Sequence, residues 1–132
     1  MSFIVAYVTV LLVFGAFDAV WISQVALPLY RDMLGEGLLQ SIRIWPAIVF
    51  YFAFPVGIVV FAVRPALRDG RVGTAIGLGA LYGALCYGTY DLTNYATLDV
   101  WRLDVTVVDI VYGAGVSAIC AAAAFFVARK VG

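Results

Sequence analysis

Three aspartates fall within long apolar stretches of the sequence, where a carboxylate is costly. They are Asp18, Asp91 and Asp109. A charged side chain at the centre of a membrane helix costs about 2.5–3.5 kcal/mol on insertion scales, so aspartates at such positions usually face protein groups or a functional site. Carboxylates in this setting can bind a proton or a hard cation, or can act as general acid and base. We therefore treat these three residues as the candidates for chemistry.

The densest run of polar side chains surrounds the second aspartate, in the segment YGTYDLTN at residues 87–94. Asn94 lies three residues after Asp91 and Tyr87 lies four before it, so these side chains share one face of a helix. Small residues continue that face at helical spacing: Ala84, Ala80, Gly77 and Gly73. Small side chains let a neighbouring membrane helix approach closely, so we expect this face to be buried against protein.

The other two aspartates each have an aromatic residue one helical turn further along. Trp21 follows Asp18 at i+3 and Tyr112 follows Asp109 at i+3, so each ring is placed to donate a hydrogen bond to its carboxylate. Threonine hydroxyls in membrane helices usually bond to the carbonyl of the preceding turn, which is the expectation for Thr89, Thr93 and Thr97. The predicted ligand-binding residues are Asp91, Asn94, Asp18, Asp109, Tyr87, Tyr90, Thr93, Trp21 and Tyr112.

Composition places the chain in a membrane. Of its 132 residues 65% are hydrophobic and 12% are charged, and the mean hydropathy is +1.06. Soluble domains carry roughly 25% charged residues. Windows of about 20 apolar residues predict four membrane helices, at about 3–27, 45–63, 72–98 and 105–128. They lack the alternation of a barrel strand, so the predicted fold is an all-α, integral membrane four-helix transmembrane bundle in a single domain, 1–132.

Basic residues in the flanks predict the orientation. One side of the predicted topology collects Arg64, Arg68, Arg71, Arg129 and Lys130, and the other side has Arg31, Arg43 and Arg102. The positive-inside rule then places both termini in the cytoplasm and all three intramembrane aspartates at similar depth in the outer half of the bilayer. The remaining five acidic residues fall in the predicted loops. Aromatic residues near the outer interface predict a belt: Trp101, Tyr95, Trp45, Tyr30 and Tyr51.

Several chemistries are disfavoured by the residues that are present. The chain has no histidine, and its two cysteines, Cys86 and Cys120, fall in the middle of predicted spans, so a zinc or redox-metal site is not predicted. A hard cation or a proton remains open, and the sequence indicates no particular cofactor. A formal net charge of zero argues against nucleic acid as a partner. Serine or threonine nucleophiles lack a conventional base in the spans, which leaves aspartate chemistry.

The chain resembles a known family in three places. The run YGTYDLTNYATL followed by Trp101, the segment DAVW at residues 18–21 and the segment DIVYG at residues 109–113 are similar to a family of small bacterial four-helix inner-membrane proteins, a predicted membrane protein domain of unknown function. The resemblance covers essentially the whole chain. The family pattern matches Tyr90, Asp91, Thr93, Asn94, Asp18 and Trp21. The family commonly has tryptophan where this chain has Tyr112. The resemblance implies a multi-pass protein of the bacterial inner membrane and implies no activity.

The leading functional hypothesis is binding or transport of a small molecule, an ion or a proton in a polar pocket of the outer half of the bilayer. Asp91 and Asn94 would form the central pair, supported by Asp18 and Asp109, and a homodimer is expected because four helices enclose little pathway. The alternatives are a membrane-embedded enzyme that acts on a lipid or isoprenoid, and an accessory subunit without chemistry. In a purely structural reading, Arg43, Arg31 or Arg102 reaches inward and pairs with the aspartates.

Overall fold

The computed structural model describes residues 1–35 and 43–131, and every regular element within these ranges is helical. The helices are α1 (Ser2–Trp21), α2 (Leu27–Leu34), α3 (Ile44–Ile58), α4 (Arg64–Asp69), α5 (Val72–Thr97) and α6 (Leu103–Arg129). They combine into four continuous helices long and apolar enough to cross a membrane, Ser2–Leu34, Ile44–Asp69, Val72–Thr97 and Leu103–Arg129. The predicted all-α class with four membrane helices is confirmed.

Two of the spans continue through prolines at which the sequence suggested that they end. A π-helical turn, Ile22–Ala26, joins α1 to α2 just before Pro28, and a second, Val59–Val63, joins α3 to α4 just before Pro65. Proline lacks an N–H and its ring collides with the carbonyl four residues earlier, and a wider helical turn relieves that collision. The first span therefore reaches Leu34 rather than about residue 27, and the second reaches Asp69 rather than about residue 63.

The helix bounds also change where several acidic residues lie. Asp32 and Asp69 belong to α2 and α4, and Asp104 lies in the first turn of α6, whereas all three were expected in loops. Glu36, also expected in a loop, is outside the described residues.

The closest helix packing is between α5 and α6. A Cβ added at Gly79 would lie 2.9 Å from the Cβ of Ala121, and one added at Gly83 would collide with the carbonyl oxygen of Gly113. The buried positions Ala75, Gly79 and Gly83 are four residues apart, so the contact follows the i+4 row of the helix surface.

The buried face of α5 differs from the predicted one at its inner end. Gly73 and Gly77, which were expected to pack against protein, are exposed, and Ala80 and Ala84 are half-buried. The prediction extended a straight stripe from Asp91, whereas crossing helices bury a row that winds around the helix. Glycines therefore do line the α5–α6 contact, but at Gly79 and Gly83.

Aromatic packing fixes α1 against α3. Phe14 is fully buried, and its ring centroid lies 4.9 Å from that of Phe54 and 5.5 Å from that of Tyr51. Phe14 lies one turn of α1 from Asp18, so this contact places Tyr51 where its hydroxyl can reach the Asp18 carboxylate.

A smaller cluster closes one end of the bundle. Trp101, in the turn between α5 and α6, packs with Met33 and Val105, and its Nε1 donates a 3.1 Å hydrogen bond to Oγ1 of Thr106. Trp101 is 4% exposed. It was predicted to belong to a lipid-facing belt, but its position in a tight turn folds the ring inward. Trp45, at 71% exposed, does face outward.

Candidate functional site

The three intramembrane aspartates come from three helices and meet at one end of the bundle. Asp18 of α1, Asp91 of α5 and Asp109 of α6 are 6%, 0% and 4% exposed. Asp91 is six residues from the end of α5 and Asp109 is six residues from the start of α6. At a rise of 1.5 Å per residue, both lie about 9 Å inside the helix ends. The carboxyl groups are therefore removed from the aqueous boundary of the bundle.

Asp18 is held by two tyrosines from other helices. The hydroxyl of Tyr51 in α3 donates to Oδ2 of Asp18, and the hydroxyl of Tyr112 in α6 donates to Oδ1 at 3.1 Å. Each carboxylate oxygen thus accepts one phenol hydrogen bond. Asp18 ties the first, second and fourth spans together.

The partners differ from those that the sequence suggested. Trp21 was expected to donate to Asp18, but its ring is stacked on Tyr112 with centroids 4.0 Å apart and planes 7° from parallel. Tyr112 was expected to donate a hydrogen bond to Asp109, but its hydroxyl donates to Asp18 across the bundle. Residues at i and i+3 share a helix face, yet an aromatic hydroxyl reaches further than one helical turn and can bond across helices.

Asp109 and Asp91 form a second group. The hydroxyl of Tyr30 in α2 donates to Oδ2 of Asp109. The carboxyl of Asp91 lies beside that of Asp109, and neither Asp91 oxygen accepts a hydrogen bond from a donor in the described parts of the chain. A fully buried carboxyl without a donor is unusual, because buried polar groups in native proteins are nearly always satisfied. Within the described chain, Asp91 therefore lacks the donor that a buried carboxyl normally has.

A cavity of about 440 Å³ opens beside these carboxyl groups. Its wall carries two carboxyls and five aromatic rings, and the π-helical turn of the first span supplies two apolar residues. The lining residues are Asp18, Trp21, Ile22, Ala26, Tyr30, Phe50, Cys86, Tyr87, Tyr90 and Asp109. Concave sites of roughly 300–1,000 Å³ with mostly apolar walls and a few placed polar groups are typical of small-molecule binding.

The ion pairs of Arg102 lie outside the cluster of buried aspartates. Arg102 forms ion pairs with Asp32 at 2.8 Å and with Asp104 at 2.6 Å, at the exposed end of the bundle. The hydrogen bonds of Arg102 with Asp104, and to a smaller extent with Asp32, raise the pKa of Arg102 above its ordinary value. The guanidinium therefore stays charged. Within the described ranges, no ion pair joins an arginine or lysine to the buried aspartates. The structural reading in which Arg102 neutralises them is therefore wrong.

The predicted site residues separate into two groups. Asp18, Trp21, Tyr87, Tyr90 and Asp109 line the cavity. Asp91 lies beside Asp109, and Tyr112 bonds to Asp18, so both belong to the same cluster.

Two predicted residues lie outside this cluster. Thr93 is on the exposed side of α5, where its hydroxyl donates to the Thr89 carbonyl, as the threonine pattern predicted. Asn94 is half-buried and does not line the cavity.

Six residues of the site were not predicted as ligands: Ile22, Ala26, Tyr30, Phe50, Cys86 and Tyr51. Tyr30 and Tyr51 were assigned to the aromatic belt. One signal for Tyr30 was present in the sequence, because Ile22, Ala26 and Tyr30 are four residues apart and share a helix face if the helix continues through Pro28.

A metal site is not built by these residues alone. Across the described positions, no group of three or more Asp, Glu, Cys or His side chains is arranged to hold a metal ion. Hard divalent cations take six or more oxygen ligands, of which Asp91 and Asp109 would supply only a part.

A family model described as a predicted membrane protein, DUF2177, matches residues 3–126. The chain belongs to this family. The match reaches all four spans of this DUF2177 member and includes every residue of the cavity, and the family's function is unknown. Comparison with curated proteins and with solved structures gave no match.

Proposed function

We propose that this DUF2177 protein binds a small molecule or cation in the cavity beside Asp18 and Asp109, and that it carries the ligand between the bilayer interior and the aqueous phase. The observation that supports this most strongly is the pair of buried carboxyls in the cavity wall with no arginine or lysine partner among the described residues. Buried charge in proteins is normally paired, because an isolated ion loses its hydration without compensation.

The missing positive charge can come from a proton or from a ligand. Asp91 strengthens the argument, since it places a third carboxyl next to Asp109 without any donor of its own in the described chain. Two adjacent carboxyls cannot both ionise cheaply, so one proton shared between them is the smallest occupant of the site. A cation that entered the cavity could replace that proton, which would couple ligand movement to a proton gradient.

Cys86 provides a direct test of whether the cavity is reachable. This thiol lines the cavity, whereas Cys120 is fully buried in α6. In purified protein we expect methyl methanethiosulfonate to modify Cys86 in the Cys120→Ala variant, and to leave Cys120 unmodified in the matched Cys86→Ala variant. Mass spectrometry of the intact protein measures both rates. No reaction at Cys86, or a rate no higher than that of the buried Cys120, would show that the cavity gives Cys86 no access to solutes and would contradict the proposed function.

We place the protein in the bacterial inner membrane with both termini in the cytoplasm and the cavity toward the outer face. The support is the charge distribution: Arg64, Arg68 and Arg129 lie at the ends of the spans remote from the aspartates, and the cytoplasmic side normally carries the excess of basic residues.

Reporter fusions test this orientation. A C-terminal green fluorescent protein is expected to fluoresce, and a C-terminal alkaline phosphatase is expected to be inactive. Alkaline phosphatase fused after Asp99, in the turn before α6, is expected to be active. Active phosphatase at the C-terminus would reverse the proposed orientation.

We also propose a homodimer. Gly73 and Gly77 leave an exposed strip of small residues on α5, and small residues favour close contact between membrane helices. The mass of the detergent-solubilised protein by light scattering, corrected for detergent, tests this; a monomer at all protein concentrations would exclude it.

A further inference from the structure

The ligand class can be named more closely from the wall of the cavity. We infer that the site takes an organic monocation, a quaternary ammonium or protonated amine on a small apolar body, with Asp109 and Asp18 as the counter-charges. This inference rests on the proposed function, because it names the ligand of that same cavity.

The charge of the cavity favours a positive ligand. Asp18 and Asp109 both line it, Asp91 lies beside Asp109, and each of the three is at least nine-tenths buried. The phenol hydroxyls of Tyr51 and Tyr112 orient Asp18, and that of Tyr30 orients Asp109. Phenol donors fix the carboxyl groups in place but supply no net positive charge, so the cavity keeps its acidic character.

The aromatic part of the wall determines which cation fits. Five rings surround the space, those of Trp21, Tyr30, Phe50, Tyr87 and Tyr90. The face of an aromatic ring attracts a weakly hydrated cation within about 6 Å of its centroid, and quaternary ammonium groups are commonly bound by such rings. A small inorganic cation requires instead a shell of oxygen ligands, which these rings cannot supply.

The rings are held in place by packing, which is needed if they are to form a binding wall. Trp21 is stacked on Tyr112, and a Cβ added at Gly113 would collide with the ring of Tyr87, so that ring lies directly on the backbone of α6. Tyr90 packs edge-on against the buried Trp101, with centroids 5.6 Å apart. Preorganised walls lose little conformational freedom when a ligand binds.

A matched pair of ligands tests the charge. Choline and 3,3-dimethylbutan-1-ol have nearly the same shape, with carbon in place of the positive nitrogen in the alcohol, and benzyltrimethylammonium adds an aromatic body. We expect choline and benzyltrimethylammonium to slow modification of Cys86 by methyl methanethiosulfonate in the Cys120→Ala protein. The neutral alcohol should require at least a tenfold higher concentration for the same protection, and K⁺ or Mg²⁺ at equal ionic strength should give none.

Two variants locate the counter-charge. Asp109→Asn is expected to weaken protection by benzyltrimethylammonium at least tenfold, because it removes the carboxylate from the wall. Asp104→Asn is the matched control: it removes one carboxylate from the same helix, but Asp104 is exposed and pairs with Arg102. In this control, benzyltrimethylammonium should protect Cys86 as well as it does in the parent protein.

The outcomes separate the two proposals. Equal protection by the alcohol and by choline would overturn the monocation inference and leave the cavity as a site for neutral molecules. Protection by Mg²⁺ or K⁺ instead of the organic cations would overturn it in favour of an inorganic ion. A reactive Cys86 that none of the three organic compounds protects would overturn it as well, while an unreactive Cys86 contradicts the proposed function itself. The ligand comparison uses no aspartate variant, so it holds even if Asp109→Asn fails to fold.

Discussion

Asp91→Asn is expected to stabilise the ligand-free protein, whereas Asp18→Asn is expected to destabilise it. Asp91 has no donor within the described chain and lies beside the carboxyl of Asp109. An asparagine at position 91 removes the need for a proton shared between the two carboxyls, and its N–H can donate to the Asp109 carboxylate. Satisfying a buried polar group that previously lacked a partner gains about 1–3 kcal/mol.

Asp18 is in the opposite situation. Its two oxygens accept hydrogen bonds from Tyr51 and Tyr112, and asparagine can replace only one of these acceptors. The amide N–H₂ of the variant would face the hydroxyl of one of these tyrosines, which donates to the carboxylate in the parent protein, so two donors would meet. Losing a phenol hydrogen bond to a charged acceptor costs about 1.5–3 kcal/mol, so the free energy of unfolding should fall.

Thermal unfolding of the detergent-purified protein measures both changes. Asp99→Asn is the control, because Asp99 lies in the exposed turn between α5 and α6 and its loss of charge should leave the midpoint of unfolding nearly unchanged. If Asp91→Asn and Asp18→Asn lower the midpoint equally, the buried aspartates act as structural partners with equivalent bonding. The unpaired carboxyl on which the binding proposal depends would then be absent.

The number and type of the spans could be predicted because the bilayer imposes a length and forbids unsatisfied backbone groups. Both rules act on single segments, so composition along the chain is sufficient information. The convergence of Asp18, Asp91 and Asp109 could also be anticipated, since their distances from the span ends place them at one depth. The depth of a residue in the bilayer follows from its distance to the end of its span, and that distance can be counted in the sequence.

The donors to these aspartates could not be predicted from spacing. Tyr30 and Tyr51 reach Asp109 and Asp18 from other helices, and which residues meet across a bundle depends on the rotation of each helix about its axis. That rotation is set by packing over the whole contact. The π-helical turn Ile22–Ala26 changes it again for the last part of the first span, Leu27–Leu34, which carries Tyr30.

The span ends predicted at the prolines were also wrong, and the reason is physical. Pro28 and Pro65 were interpreted as span ends because proline interrupts the hydrogen bonding of a regular α-helix. In both places the structure inserts a π-helical turn, and the helix continues. The first of these turns also supplies Ile22 and Ala26 to the cavity wall. The irregular turn is thus part of the wall of the candidate site, in keeping with the frequent occurrence of π-helical turns at functional sites.

Gly83→Ala is expected to be strongly destabilising, because Gly83 lies where α5 and α6 approach most closely. An added Cβ would collide with the carbonyl oxygen of Gly113 and with Oγ of Ser117. The first of these is a backbone atom, so relief requires the two helices to move apart rather than a side chain to rotate. Overpacking of this kind costs about 1–3 kcal/mol.

Gly115→Ala is the matched control, on α6, the other helix of this contact. A Cβ added at Gly115 meets no atom within 4 Å, and alanine is favoured over glycine inside a helix by about 1 kcal/mol, so this variant should be neutral or slightly more stable. Thermal unfolding of both variants separates helix propensity from packing. Moving α6 away from α5 would also shift Gly113 from the ring of Tyr87 and alter the cavity wall. Gly83→Ala should therefore raise the reactivity of Cys86, and an unchanged reactivity in a destabilised variant would show that the cavity does not depend on the α5–α6 contact.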